Sequence, residues 1–229
     1  MFRIIYSRLK KISFLQLLLF VLFVILYIPA FSMDLRQYID GNLYTSILFS
    51  IEFTFYALPI FFILLLCFVR FPESMERIRL SKWLEFKVNI TCLLLVAFIS
   101  SFTPILALIL LAIYQHTSEF LIVSVMLEVF VRYFMMFVTI GVIHYLGTIW
   151  LKNKWYMTGL LMICFPCFAF LYYVKTDFGN FFKFAFFYLT PPVAEAGHSI
   201  IILIPFFLGS ILLLCSLCYW RLINQEYLS

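Results

Sequence analysis

The sequence predicts an all-α polytopic membrane protein, on three observations. Of its 229 residues, 66% are hydrophobic and 12% charged, where a soluble domain is nearer half apolar and a quarter charged. Apolar runs of about 18 residues or more recur along the whole length, each long enough to cross a bilayer as a helix. Every polar stretch between them is shorter than about 30 residues, too short to bury a core of its own. A β-barrel would instead show segments of about ten residues with alternating polarity. The expectation is a single transmembrane domain over residues 1–229.

The elements follow in order. In Met1–Ile12, Ile5, Leu9 and Ile12 recur at i, i+4, i+7 while Arg3, Arg8, Lys10 and Lys11 supply the charge. That pattern suits a short basic amphipathic helix at headgroup level; an unstructured positive flank is the plainer alternative. Six spans are expected, at about 13–33, 43–69, 89–114, 120–150, 156–174 and 200–220. Ala30-Phe31-Ser32 resembles a signal-peptide cleavage site, but the apolar run before it exceeds the usual 7–15 residues, which favours a retained span. Pro59, Pro104, Pro166 and Pro205 fall inside spans, where proline kinks a helix.

Basic residues set the orientation. Arg3, Arg8, Lys10, Lys11, Arg70, Arg77, Arg79, Lys82, Lys87, Lys152, Lys154 and Arg221 fall on one side of the six-span layout, against Arg36, Lys175 and Lys183 on the other. Both termini, the 70–88 connector and the 152–154 loop are therefore expected in the cytoplasm of a cell-membrane protein. Segments 34–42, 115–119 and 175–199 are expected outside.

The connector R-F-P-E-S-M-E-R-I-R-L-S-K-W-L-E-F-K-V, from Arg70 to Val88, is a charged island between apolar runs. Pro72 suits a first helical turn, Glu73 and Glu76 suit the positive helix start, and Arg77, Arg79 and Lys82 suit its negative end. Glu73 and Arg77 form an i, i+4 pair in the favourable order. With Ser74, Met75 and Ile78 they read as a short cytoplasmic helix, then a turn near Arg79–Ser81 and the start of the third span. A solvated positive loop is the blander reading. None of the seven glycines stands in a phosphate loop or a dinucleotide turn, so no nucleotide-binding motif is on this chain. The net charge of +5 is no nucleic-acid signature in such a sequence.

Six spans with both ends inside, an amphipathic N-terminal helix and a charged helix between spans two and three resemble the permeases of ABC-2 type transporters. The basic-x-Ser pattern entering the third span with a lysine, here Arg79-Leu80-Ser81-Lys82-Trp83 and Lys87, is similar to that family's connector. So is the aromatic, proline-broken stretch before the sixth span. There Phe181, Phe182, Phe184, Phe186 and Phe187 precede Pro191 and Pro192, a candidate re-entrant or interfacial segment on physical grounds too. The resemblance implies that Pro72–Ile78 is a coupling helix seated on a separate ATPase. It implies two ATPase copies carrying ATP and magnesium, and a second permease half, the same chain or a homologue. No catalytic residue, cofactor or metal site is then expected on this chain. Membrane lipid is the remaining partner.

Charges inside spans are costly, about 2.5–3.5 kcal/mol or more at mid-depth. Counted from the inner ends, Glu52 and Arg132 share an outer layer, with Glu128 one turn further out. The expectation is an Arg132–Glu128 pair extended to Glu52; snorkelling to the outer headgroups is the alternative. If Arg132 pairs with Glu52, the Arg132→Glu, Glu52→Arg exchange restores part of what Arg132→Ala loses. His144, without ligand-spaced partners, reads as a hydrogen-bonded packing residue. Cys164-Phe-Pro-Cys167 and Cys215-Ser-Leu-Cys218 have C-x-x-C spacing, which suggests redox or zinc chemistry, but their unequal depths favour small apolar fillers.

The leading expectation is the permease subunit of an ATP-driven exporter. Its cargo would be hydrophobic or amphipathic: a membrane-active peptide first, then a lipid or drug. A membrane thiol–disulfide protein using the cysteine pairs, or a non-transporting binding or immunity protein, stands as the alternative.

Overall fold

The computed structural model describes residues 58–68, 81–114, 123–151, 153–173 and 200–224, with the isolated positions Tyr6 and Leu18. Among the described residues every regular element is helical. The helices are α1 (Leu58–Phe68), α2 (Lys82–Tyr114), α3 (Val123–Leu151), α4 (Lys154–Tyr173) and α5 (Ile200–Ile223). Three segments are long and apolar enough to cross a membrane: Lys82–Leu106 in α2, Met126–Leu151 in α3 and Leu203–Ile223 in α5. The chain is thus a multi-pass α-helical membrane protein. Six spans are not shown: the expected first span and most of the second lie outside the described residues, and α4, at the expected fifth, is not among the three candidate spans.

Two helix starts have visible causes. The Ser81 carbonyl accepts from Glu85 N at 2.9 Å, and its Oγ accepts from Leu84 N at 3.3 Å. A serine in that position satisfies amides the helix cannot pair itself. The helix consequently starts at Lys82 and runs without a break through Lys87 into the span, earlier than the Asn89 expected from hydropathy. Hydropathy marks where the bilayer core begins, and the cap marks where the helix begins. Asn153 does the same for α4, its Oδ1 accepting from Trp155 N at 2.9 Å. Only Lys152 and Asn153 separate α3 from α4, so these two helices form a tight antiparallel hairpin.

Helix α3 packs against all four others. Its buried residues run nearly unbroken from Arg132 to Val142, as expected of a helix surrounded by others rather than by lipid. They share one core with Leu58, Phe62 and Ile63 of α1, Leu93, Val96 and Ala97 of α2, Leu161 and Phe165 of α4, and Leu203 and Phe207 of α5. Helix α5 is peripheral: only 17% of its span window is buried. Gly141 and Gly147 permit the closest approaches to α3. A Cβ on Gly141 would stand 2.8 Å from Leu93 Cγ, and one on Gly147 would overlap the Met157 sulfur.

Candidate functional site

The start of α2, the end of α3, the start of α4 and the end of α5 lie at one end of the bundle. The chain has four tryptophans, and all of them stand here: Trp83, Trp150, Trp155 and Trp220, each roughly half exposed or more. Three carry a cation on the ring. Lys87 Nζ is 4.7 Å from the Trp83 centroid, Lys154 Nζ 5.3 Å from Trp155, and Arg221 Cζ 5.4 Å from Trp150. Lys82 Nζ donates to the carbonyl of Ile223, capping α5 and clipping it to the first turn of α2. Trp83, Phe86 and Tyr219 close the seam between those helices, with centroids 5.2–5.9 Å apart. Amphipathic rings and snorkelling cations of this kind mark a membrane–water boundary.

Just inside this girdle the contacts turn polar and buried. Glu85 is 1% exposed. One turn on, Asn89 Nδ2 donates to the Tyr145 hydroxyl at 3.1 Å, joining α2 to α3. His144 Nε2 lies 3.0 Å from Thr158 Oγ1, joining α3 to α4. Thr158 donates its one hydroxyl proton to the Lys154 carbonyl at 2.8 Å, so it can only accept from His144. Nε2 of His144 therefore carries the proton in this bond. Arg221 Nε is buried without a hydrogen-bond partner.

About 27 Å along α3 from Trp150, toward the other end of the bundle, lies a second polar layer, deep within the helix packing. Arg132 is 1% exposed, and its Nε and Nη2 donate to Glu128 Oε1 at 2.9 and 2.8 Å. Glu128 is 31% exposed, so the pair runs from the core toward the rim. The register set by Asn89–Tyr145 brings residues 100–103 of α2 to the height of this layer. Phe102 meets Phe130 there, with centroids 4.7 Å apart. Ser100, Ser101 and Thr103 are buried. Ser101 donates to the Ala97 carbonyl at 2.7 Å, and Ser100 Oγ has no partner. Pro104 sits inside the helix and cannot donate to the Ser100 carbonyl.

Several residues singled out in the sequence fall outside the described residues: Glu52, the connector Pro72–Ile78, Phe181–Pro192, and Arg3, Arg8, Lys10 and Lys11. Among those described, Arg132 and Glu128 are brought together, and His144 is a buried hydrogen-bonded residue. Cys164 and Cys167 lie on α4, which packs on α1 and α3; Cys215 and Cys218 lie on α5, which packs on α3 and α2. All four are free thiols, and Cys218 Sγ lies 3.9 Å from the Val142 carbonyl. Among the described residues no three His, Cys, Asp or Glu side chains group closely enough to hold a metal. The sequence reading passed over Glu85, Asn89 and Tyr145. Glu85 and Asn89 share one face of α2 with Cys92 and Val96, but that spacing does not say what the face meets, and Tyr145, on α3, carried no such signal.

Comparison with family models, with curated proteins and with solved structures finds no match.

Proposed function

We propose that this chain is the membrane permease subunit of an ATP-binding-cassette exporter of ABC-2 type, with ATP hydrolysed on a separate subunit. Its cargo is hydrophobic or amphipathic, a membrane-active peptide in the first instance. The girdle end and both termini face the cytoplasm, and the protein works with a second permease half. The observation that carries the reading is the junction at Ser81. The charged connector enters α2 through this cap at the basic, tryptophan-rich end of the bundle. The first turn of α2 is in turn tied to the end of α5 by Lys82. A push on Pro72–Ile78 would therefore act on two helices at once, both packed on α3.

The test is purification of the tagged full chain from its native membrane. It should bring down a chain bearing a G-x-x-x-x-G-K-[ST] loop. Replacing Glu73, Glu76 and Arg77 together by alanine should release that chain while the protein stays in the membrane. Recovery of the full chain with no ATPase would end the reading.

A further inference from the structure

The seam between α2 and α5 at the girdle end has the make-up of a lipid site, and this does not depend on the transport reading. Lys87 is exposed and lies on the face of Trp83, which itself packs edge-on against Tyr219. An ammonium resting on a ring keeps donors directed away from it. The acids among the described residues are Glu85 and Glu128. Glu85 is buried and Glu128 belongs to the deep layer, so the described charge at this surface is positive. Below Lys87 the same face of α2 continues with Leu94 and Phe98, each about 40% exposed or more; Phe98 lies edge-on to Phe130 and Phe134, so the stripe passes from the α5 seam to the α3 side. At 1.5 Å per residue Leu94 and Phe98 lie about 10 and about 17 Å beneath Lys87, roughly the depth of one leaflet's hydrocarbon, about 15 Å; Phe102, at about 22 Å, lies beyond it. A cation on an aromatic ledge thus stands at the head of a greasy stripe one acyl chain long.

We propose that this surface binds an anionic phospholipid, its phosphate on the Lys87 ammonium beside Trp83 and one acyl chain along Leu94 and Phe98. Free phosphate would use only the first half of that arrangement; a phospholipid uses both. The cation places the demand on headgroup charge, and the stripe supplies affinity common to all phospholipids.

The experiment uses the full chain with Trp150, Trp155 and Trp220 changed to Phe, leaving Trp83 as the reporter. In detergent it is titrated with phosphatidylglycerol or phosphatidylcholine brominated on the acyl chain, and quenching is followed. Half-quenching should need about fivefold less of the anionic lipid, the worth of one cation near a charged headgroup. Lys87→Gln should remove that preference, and Lys87→Arg should keep it. Inorganic phosphate at millimolar concentration should not reverse the quenching. Equal quenching by the two lipids with Lys87 in place would overturn the proposal, and that comparison requires no change at Lys87. A preference that survives Lys87→Gln would move the site elsewhere, and displacement by inorganic phosphate would make it an anion site rather than a lipid site.

Discussion

At the girdle end, cations lie on half-exposed tryptophan faces; in the deep layer, the Arg132 guanidinium is 1% exposed and bound to a carboxylate on its own helix. The residue types are alike, and their surroundings differ. A girdle lysine such as exposed Lys87 keeps most of its hydration, gains a ring face, and contributes about 0.5–1 kcal/mol. A cation in the deep layer has given up water, and its paired carboxylate helps to make that tolerable. Burial within the bundle decides what an arginine or lysine means here: anchorage where it is exposed, a partner where it is enclosed.

The largest expected effect is at the deep layer. Arg132→Ala removes the buried half of the pair and should cost about 3–5 kcal/mol, read as loss of monodisperse protein or as unfolding at lower denaturant. Glu128→Gln should cost a comparable amount, because it leaves the 1% exposed guanidinium without its counter-charge even though the amide can still accept. If Arg132→Ala behaves like a girdle substitution, the contrast collapses. Next comes packing around α3. Gly141→Val pushes into Leu93 and should cost about 1–3 kcal/mol, whereas Gly209→Ala meets nothing within 4 Å and should leave thermal unfolding nearly unchanged. Tyr145→Phe removes the acceptor of the Asn89 Nδ2 bond and should cost about 1 kcal/mol; a double-mutant cycle with Asn89→Leu isolates the bond. Lys154→Gln at exposed Trp155 should cost about 0.5 kcal/mol or less. Finally, iodide added to one face of sealed vesicles holding the protein in one orientation should quench all four tryptophans, and iodide on the other face none of them.

Much of the girdle was legible in the sequence. Trp83, Trp150, Trp155 and Trp220 each fall at a span end that basic residues assign to the same side. Arg132 was legible as well, since a cation inside an apolar run of that length has few physical options. The start of α2 was placed too late because Lys82–Lys87 is polar, while the Ser81 cap lets the helix begin outside the apolar core. Glu85, Asn89 and Tyr145 were not legible, because a polar residue near a span end can face water or a neighbouring helix. Which it faces depends on packing, and in α2 the neighbour across that face is α3. Nor could hydropathy reveal that α3 is the central helix: its composition resembles that of peripheral α5, and only their burial separates them.

The hairpin of α3 and α4 combines a cap at Asn153, a histidine–threonine bond and a glycine that lets Met157 lie against the α3 backbone. These ties lie within about two turns of the bend, on the girdle side. The hairpin should therefore behave as tongs held stiffly at the pivot. Any opening of a path between α3 and α4 would begin at the end away from the tryptophans and close last at the same place.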